Sequence, residues 1–500
     1  MNIETILRGG VFPTAPEVDS LAIGGGRILA LGPAERIVSL AAETTQTIEL
    51  SGKAVLPGFI DAHTHFLQIG LKEIGLRSDL SGLSRTETLA RLAEALHQRG
   101  KGEWVVGQGW DESTWQERRY LSRDDLDRIA PNTPLIAVRV DGHLLSANSC
   151  ALEQIPPNVD QKLVDFSSGI LHEEAAFTFL RTVRPDPETQ KEALHAAAAT
   201  AHRLGITSVH TMLPPERVRL YMRERQKLRL RVALCPEISC LDTLETLGIE
   251  SGFGDEWLRL GGVKLFADGS IGAGNAALDK PYDDFGECGE LNYTDEELIA
   301  FVRRCEQAGL QTVIHAIGDR AIEQVLNAHS AVGTSSELRH RIEHFELPTT
   351  AQIERAKDLG LHVSMQPNFV GNWSGEGKMY IDRLGRKRDL NIDPHRLVLD
   401  ADLPLAFGSD CMPMSPLFGL CWAVNAPHPN QRVSVEEAIT CYTKMGATFS
   451  FEEAQKGTLD TWMLADLVIL DQDPRQVPEN LADLQVDMTF VGGKLVYERD

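Results

Sequence analysis

The stretch Ala54-Val-Leu-Pro-Gly-Phe-Ile-Asp-Ala-His-Thr-His65 decides the fold. Its apolar part, Ala54–Ile60, reads as a buried strand and runs directly into two histidines. Side chains alternate along extended backbone, so His63 and His65 point to the same side. Two imidazoles converging at a strand's C-terminal end start a divalent-metal site in folds that use that end for chemistry. Alone, such a pair equally suits a solvent-facing or structural role.

Similar apolar, β-branched runs recur at Ile206–His210, Leu230–Leu234, Gly262–Phe266, Thr312–Ala316, Arg341–Phe345, His362–Gln366 and Leu405–Gly408. Helix-period segments lie between many of them, among them Glu188–Leu204, Asp295–Ala308, Arg320–His329 and Thr350–Leu359. Strands alternating with helices predict an α/β fold, a closed TIM-type (β/α)8 barrel, because each parallel connection needs a crossover. An open doubly wound sheet is the alternative, but no Gly-x-Gly-x-x-Gly opens a helix after the first strand. Roughly 140 residues separate the first two strands, far beyond an ordinary βα connection. That gap holds the helical Ser84–His97, a Trp-rich run from Gly107 to Trp115 and a strand at Leu135–Val140. Residues 70–165 are therefore expected to form an insert over the barrel mouth. Both chain ends read as short strands and tight turns, so residues 1–55 and 450–500 are expected to form one composite β-sandwich. Residues 56–449 would then make the barrel with its insert.

The 500 residues carry 49 Lys plus Arg against 72 Asp plus Glu, a net charge of −23. That balance argues against nucleic acid or an anionic membrane as a partner, without excluding a local basic pocket. No run approaches the ~18 apolar residues of a membrane span. The first ten residues lack the basic and apolar regions of a signal peptide. Eight cysteines without a Cys-x-x-Cys pair read as reduced thiols of a cytoplasmic protein. A small-molecule substrate is the expected partner, and homodimerisation stays open.

Candidate ligands recur at later strand ends. Lys264 sits inside the apolar Val263-Lys-Leu-Phe-Ala-Asp268, where desolvation disfavours the ammonium. A neutral amine there can take up CO₂ and become an anionic carbamate; the competing reading is a lysine paired with Asp268. His315, His344 and Asp410 close three further strands. One such histidine suits a core role, but four histidines, a lysine and an aspartate on one barrel face point to a metal site.

This set resembles the metal centre of the amidohydrolase superfamily, and within it the chain resembles amidohydrolase family 3, the branch with N-substituted formamide deformylase-like proteins. The matching segments run nearly end to end: Gly58 to His65, Gly107 to Asp111, Asp141-Gly-His143, Asn148-Ser149, Lys264 to Ser270, His315 to Ala321, Arg341 to His344, Gln366-Pro367, Phe407 to Asp410, Ala465 to Val468 and Val491 to Lys494. The resemblance implies that His63 and His65 bind the more buried metal, and His315 and His344 the more exposed one. Lys264, if carboxylated, would bridge two ions, and an uncarboxylated lysine would leave one; zinc is the expected metal. Asp410 would ligate the first ion and act as general base and acid in hydrolysis of a C–N bond, amide-type with N-acyl and N-formyl variants, in a small organic substrate. Trp110, Asp111, His143, Asp268 and Gln366 are candidate substrate contacts.

Two departures stand out. Where the family commonly has Arg followed by Ser or Thr, this chain has Gly272-Ala-Gly-Asn275, so a substrate-side cation is missing. Thr461-Trp-Met-Leu464 replaces a Gly-Lys near the C-terminus. A deaminase is one alternative, but such branches place a Glu soon after the fifth-strand histidine, whereas His315 is followed by Ala-Ile-Gly-Asp319. Esterase or lactonase chemistry could use the same centre. A non-catalytic relative would be expected to have lost ligands, and all six candidates are present.

Overall fold

A computed structural model describes residues 2–98, 103–284 and 286–500. Residues 99–102, within the expected insert, lie outside the described residues. The protein is a mixed α/β chain whose central strands are parallel and almost wholly buried.

The opening stretch forms two strands where the sequence predicted one. Ala54–Pro57 pairs antiparallel with Leu467–Leu470, while Phe59–Thr64 pairs parallel with Ile206–Leu213. The break has a local cause. Pro57 has no N–H to donate to a continuing ladder. A Cβ on Gly58 would lie 2.2 Å from the Thr207 side chain, so only glycine lets the chain pass there.

The parallel strands form two arcs, not one closed ladder. One arc runs Leu258–Leu260, Arg231–Pro236, Ile206–Leu213, Phe59–Thr64. The other runs Val263–Phe266, Thr312–Ala316, Arg341–His344, His362–Met365, Leu405–Phe407. Gly261-Gly262 interrupts the chain between Leu258–Leu260 and Val263–Phe266, and a Cβ on Gly262 would lie 2.5 Å from the Gln311 carbonyl oxygen. The arcs meet at two seams. A parallel bridge joins Glu237 to Lys264 at one, and at the other Asp410 N donates to His63 O over 2.8 Å.

The chain ends form two further four-stranded sheets. One contains Thr5–Arg8, Ser20–Gly24, Arg27–Gly32 and Gln46–Glu49; the other joins Ala54–Pro57 to the three C-terminal strands. Leu7, Leu21, Ile23 and Val55 share a buried cluster with Leu467, Ile469 and Phe490. Between Ser78 and His172 lies a six-stranded sheet, which extends past residue 165 and carries the helix Arg85–His97 capped by Ser84.

Small residues set one close helix crossing. Helices Phe66–Glu73 and Pro187–Arg203 pack where Gly70 faces Ala193, and a Cβ on Gly70 would lie 1.7 Å from the Ala193 carbonyl oxygen. Backbone cannot yield there as a flexible side chain could. Gly70→Ala is expected to cost about 1–3 kcal/mol of stability. A melting temperature equal to that of the unsubstituted protein would show that this crossing is looser than described.

Candidate metal centre

Strand ends bring the six candidate ligands to one place. His63 and His344 have ring centroids 4.8 Å apart, and His315 and His344 4.5 Å apart. Asp410 Oδ1 lies 3.3 Å from His65 Nε2 and 3.8 Å from His63 Nε2. His63, His344 and Asp410 each offer a ligand atom within 4.8 Å of the others. This triplet straddles the two ligand sets expected from the sequence, because the rings pack close enough for His344 to face His63.

Each imidazole has one nitrogen engaged by the protein and one turned to the centre. Glu343 accepts a hydrogen bond from His63 Nδ1, and Arg341 grips that carboxylate through Nε (2.8 Å) and Nη2 (3.0 Å). His344 Nδ1 donates to Gln366 Oε1 at 2.8 Å. His315 Nε2 donates to the Gly269 carbonyl at 3.0 Å. His63 Nε2, His315 Nδ1, Lys264 Nζ and Asp410 Oδ1 are buried without a hydrogen-bond partner. Unsatisfied buried donors and acceptors are costly, and here they converge. Outer partners that fix a ring's tautomer while its other nitrogen points at one spot are a metal-site arrangement.

Desolvation governs the electrostatics. It pushes His63, His315 and His344 well below the usual imidazole range and His65 down to about 3, each helped by positive neighbours that include Lys264. These rings are neutral and can donate lone pairs. Burial lowers Lys264 to about 8, against the pull of Glu343 and Asp410, and its Nζ lies 4.6 Å over the Phe266 ring. Burial raises Asp410 to about 7, although Lys264 and His143 oppose the rise. Backbone strain accompanies the site: His344 and Asp410 hold φ of 71° and 46°, unusual for residues with a Cβ.

A cavity of about 570 Å³ opens onto the centre. His65, Lys264, His315, His344 and Asp410 reach it, and of the expected substrate contacts Asp111 and His143 line it. Burial lowers the His143 pKa, but Glu173, which meets Nδ1 at 2.8 Å, and Asp141 raise it to about 9.

Three expected substrate contacts lie elsewhere. Trp110 is fully buried, stacked on Trp115 with Nε1 donating to the Ala137 carbonyl; it belongs to the insert's core. Asp268 accepts from the backbone N–H groups of Ala277, Ile317 and Gly318, so it anchors the start of helix Asp319–Val332, and its Oδ1 lies 3.5 Å from His315 Nε2 rather than pairing with Lys264. Gln366 stands behind His344 and orients it.

Sequence reading missed Arg341 and Glu343 as working residues. Strict alternation would send Glu343 and His344 to opposite faces, yet the left-handed backbone at His344 lets both reach His63. An ionic Arg-x-Glu inside a buried strand was the available signal. Trp373, whose Nε1 donates to Asp111 Oδ2 at 2.9 Å, was also missed.

A sequence profile of the amidohydrolase family matches residues 46–497. The chain belongs to the amidohydrolase family. It is an enzyme, a metal-dependent hydrolase acting on non-peptide carbon–nitrogen bonds. An uncharacterized metal-dependent hydrolase from Pyrococcus furiosus superposes with a TM-score of 0.75 at 30% identity, covering 94% of this chain and 99% of that one. Its counterpart from Pyrococcus horikoshii OT3 gives 0.77 at 29%, covering 95% and 99%. N-substituted formamide deformylase from Arthrobacter pascens is 27% identical over 522 residues, covering 96% of this chain and 95% of the relative.

Glu343→Gln removes the carboxylate that fixes His63. It is expected to weaken divalent-metal affinity about 10–100-fold, read by metal-competition titration. Unchanged affinity would mean that Glu343 does not orient the ring.

Proposed function

We propose that this protein cuts an amide-type C–N bond, N-acyl or N-formyl, in a small organic substrate, at a centre held by His63, His65, Lys264, His315, His344 and Asp410. The observation that carries this reading is the convergence of four buried, unpartnered donor atoms from different strand ends. The donor set of neutral imidazoles, carboxylate and one lysine suits zinc. A bound divalent ion would supply Lewis-acid polarisation of the carbonyl and a lowered pKa for water.

The chain's own groups do the rest. Asp410 Oδ1 takes a proton from the attacking water and passes it to the nitrogen as the C–N bond breaks, so the amine leaves neutral. If Lys264 takes up CO₂ at Nζ with release of a proton, the resulting carbamate would offer two oxygens able to hold a second ion. The cavity walls position the substrate and exclude bulk water. The N-substituted formamide deformylase among the relatives supports an N-acyl or N-formyl substrate. We further read the two strand arcs as one (β/α)8 barrel, flanked by a sandwich built from residues 1–55 and 450–500, with an insert that begins near residue 70. The eight free cysteines suit a reducing, cytoplasmic setting.

Metal-loaded protein should be screened against N-formyl amines, N-acyl amines, cyclic amides and lactones. Turnover of an amide is expected, and Asp410→Asn should lower kcat by about 10²–10⁴-fold with an unchanged circular dichroism spectrum. A variant as active as the parent would remove Asp410 from the proton path.

A further inference from the structure

The cations in the cavity wall are unequally compensated. Lys72 Nζ pairs with Asp79 at 2.8 Å, Arg181 with Glu237 at 2.5 Å, and His143 with Glu173 at 2.8 Å. Arg77 and Arg217 line the same cavity, and neither forms an ion pair among the described residues. Arg77 is only 8% exposed, and its Nη1 donates to two neutral amides, Gln108 Oε1 at 2.6 Å and Gln68 Oε1 at 3.4 Å. Arg217 has a buried Nε with no partner. The nearby Glu216 and Glu237 are engaged by Arg184 and Arg181.

Two uncompensated guanidiniums in one wall are costly. Removal from water penalises each charge, and like charges repel. Burial followed by the charge of Arg217 lowers Arg77 to about 9, which still leaves it cationic at neutral pH. In a chain of net charge −23 carboxylates were abundant, yet those beside the pair, Glu216 and Glu237, are engaged by Arg184 and Arg181.

We propose that Arg77 and Arg217 form an anion-receiving subsite, and that the substrate cut at the metal centre carries a carboxylate. This rests on the hydrolase reading above. The subsite's position fits. Arg77 follows helix Phe66–Glu73, which starts beside His65, and Arg217 ends the turn Pro215–Arg217 after strand Ile206–Leu213. The guanidinium fork matches a carboxylate's two oxygens in a way a lysine could not. Apolar wall from Met212, Leu213, Phe177 and Leu180 suits the body of the substrate. An N-acylated amino acid combines all three features: a C–N bond to cut, an apolar side chain and a carboxylate. The pair also supplies a substrate-side cation, which Gly272-Ala-Gly-Asn275 lacks.

The test compares 3-phenylpropionate with its neutral isostere 3-phenylpropionamide, titrated calorimetrically into metal-loaded protein, Arg77→Gln and Arg217→Gln. The unsubstituted protein is expected to prefer the carboxylate by about tenfold or more, with the ratio falling towards one in either variant. Attraction to the metal alone would leave the ratio the same in all three proteins and would overturn the subsite, as would equal binding of both probes by the unsubstituted protein. N-acetylphenylalanine and N-acetylphenethylamine are then compared as substrates. If neither turns over while the arginine-dependent preference stands, the hydrolase reading falls and the subsite remains.

Discussion

Glu343 is the constraint on which the centre depends. Its carboxylate engages His63 Nδ1 on one side and the Arg341 guanidinium on the other, with all three side chains removed from water. Arg341 also donates to the Ala62 carbonyl at 2.8 Å and meets His210 Nδ1 at 3.0 Å. One ionic group thus ties three parallel strands together and leaves His63 Nε2 facing the candidate ligands. A buried ion pair of this kind is weak evidence for stability but strong evidence for fixed geometry. Desolvation explains the remaining electrostatics: neutral imidazoles, a lysine near its titration point and an aspartate pushed upward all follow from burying charge without water.

The seam beside His63 shows how tightly the centre is built. A Cβ on Gly408 would lie 2.5 Å from His63 N, so strand Leu405–Phe407 passes the histidine backbone closely enough for Asp410 N to bond His63 O. The chain ends reinforce the same region. Ala54–Pro57 is held by the C-terminal strand Leu467–Leu470 immediately before Gly58 turns the chain into the ligand-bearing strand. Arg231, in the strand beside Ile206–Leu213, is clamped by Asp466 at 2.5 and 2.9 Å. Distant sequence therefore fixes the start of the strand that presents His63 and His65.

Much of this was legible in the sequence, for physical reasons. Buried parallel strands are continuous apolar runs, so a histidine or lysine at the end of one is conspicuous. That logic singled out His63, His315, His344, Lys264 and Asp410 as candidates. It failed where backbone geometry, not side-chain type, decides. The turn at Gly58 and the interruption at Gly261-Gly262 arise from close approaches to Thr207 and Gln311 that no periodicity encodes. Trp110 was misread because an aromatic beside a loop aspartate looks the same whether it faces a core or a cavity. Arg77 and Arg217 were invisible because a missing partner is a property of three-dimensional surroundings.

Elemental analysis of the purified protein, prepared with zinc and bicarbonate, tests the centre most directly. With Lys264 as a carbamate bridge, about two ions per chain are expected, falling to one or none in Lys264→Ala, which removes the proposed bridge. A folded protein that takes up no divalent metal, or a Lys264→Ala variant that retains both ions, would contradict the assignment.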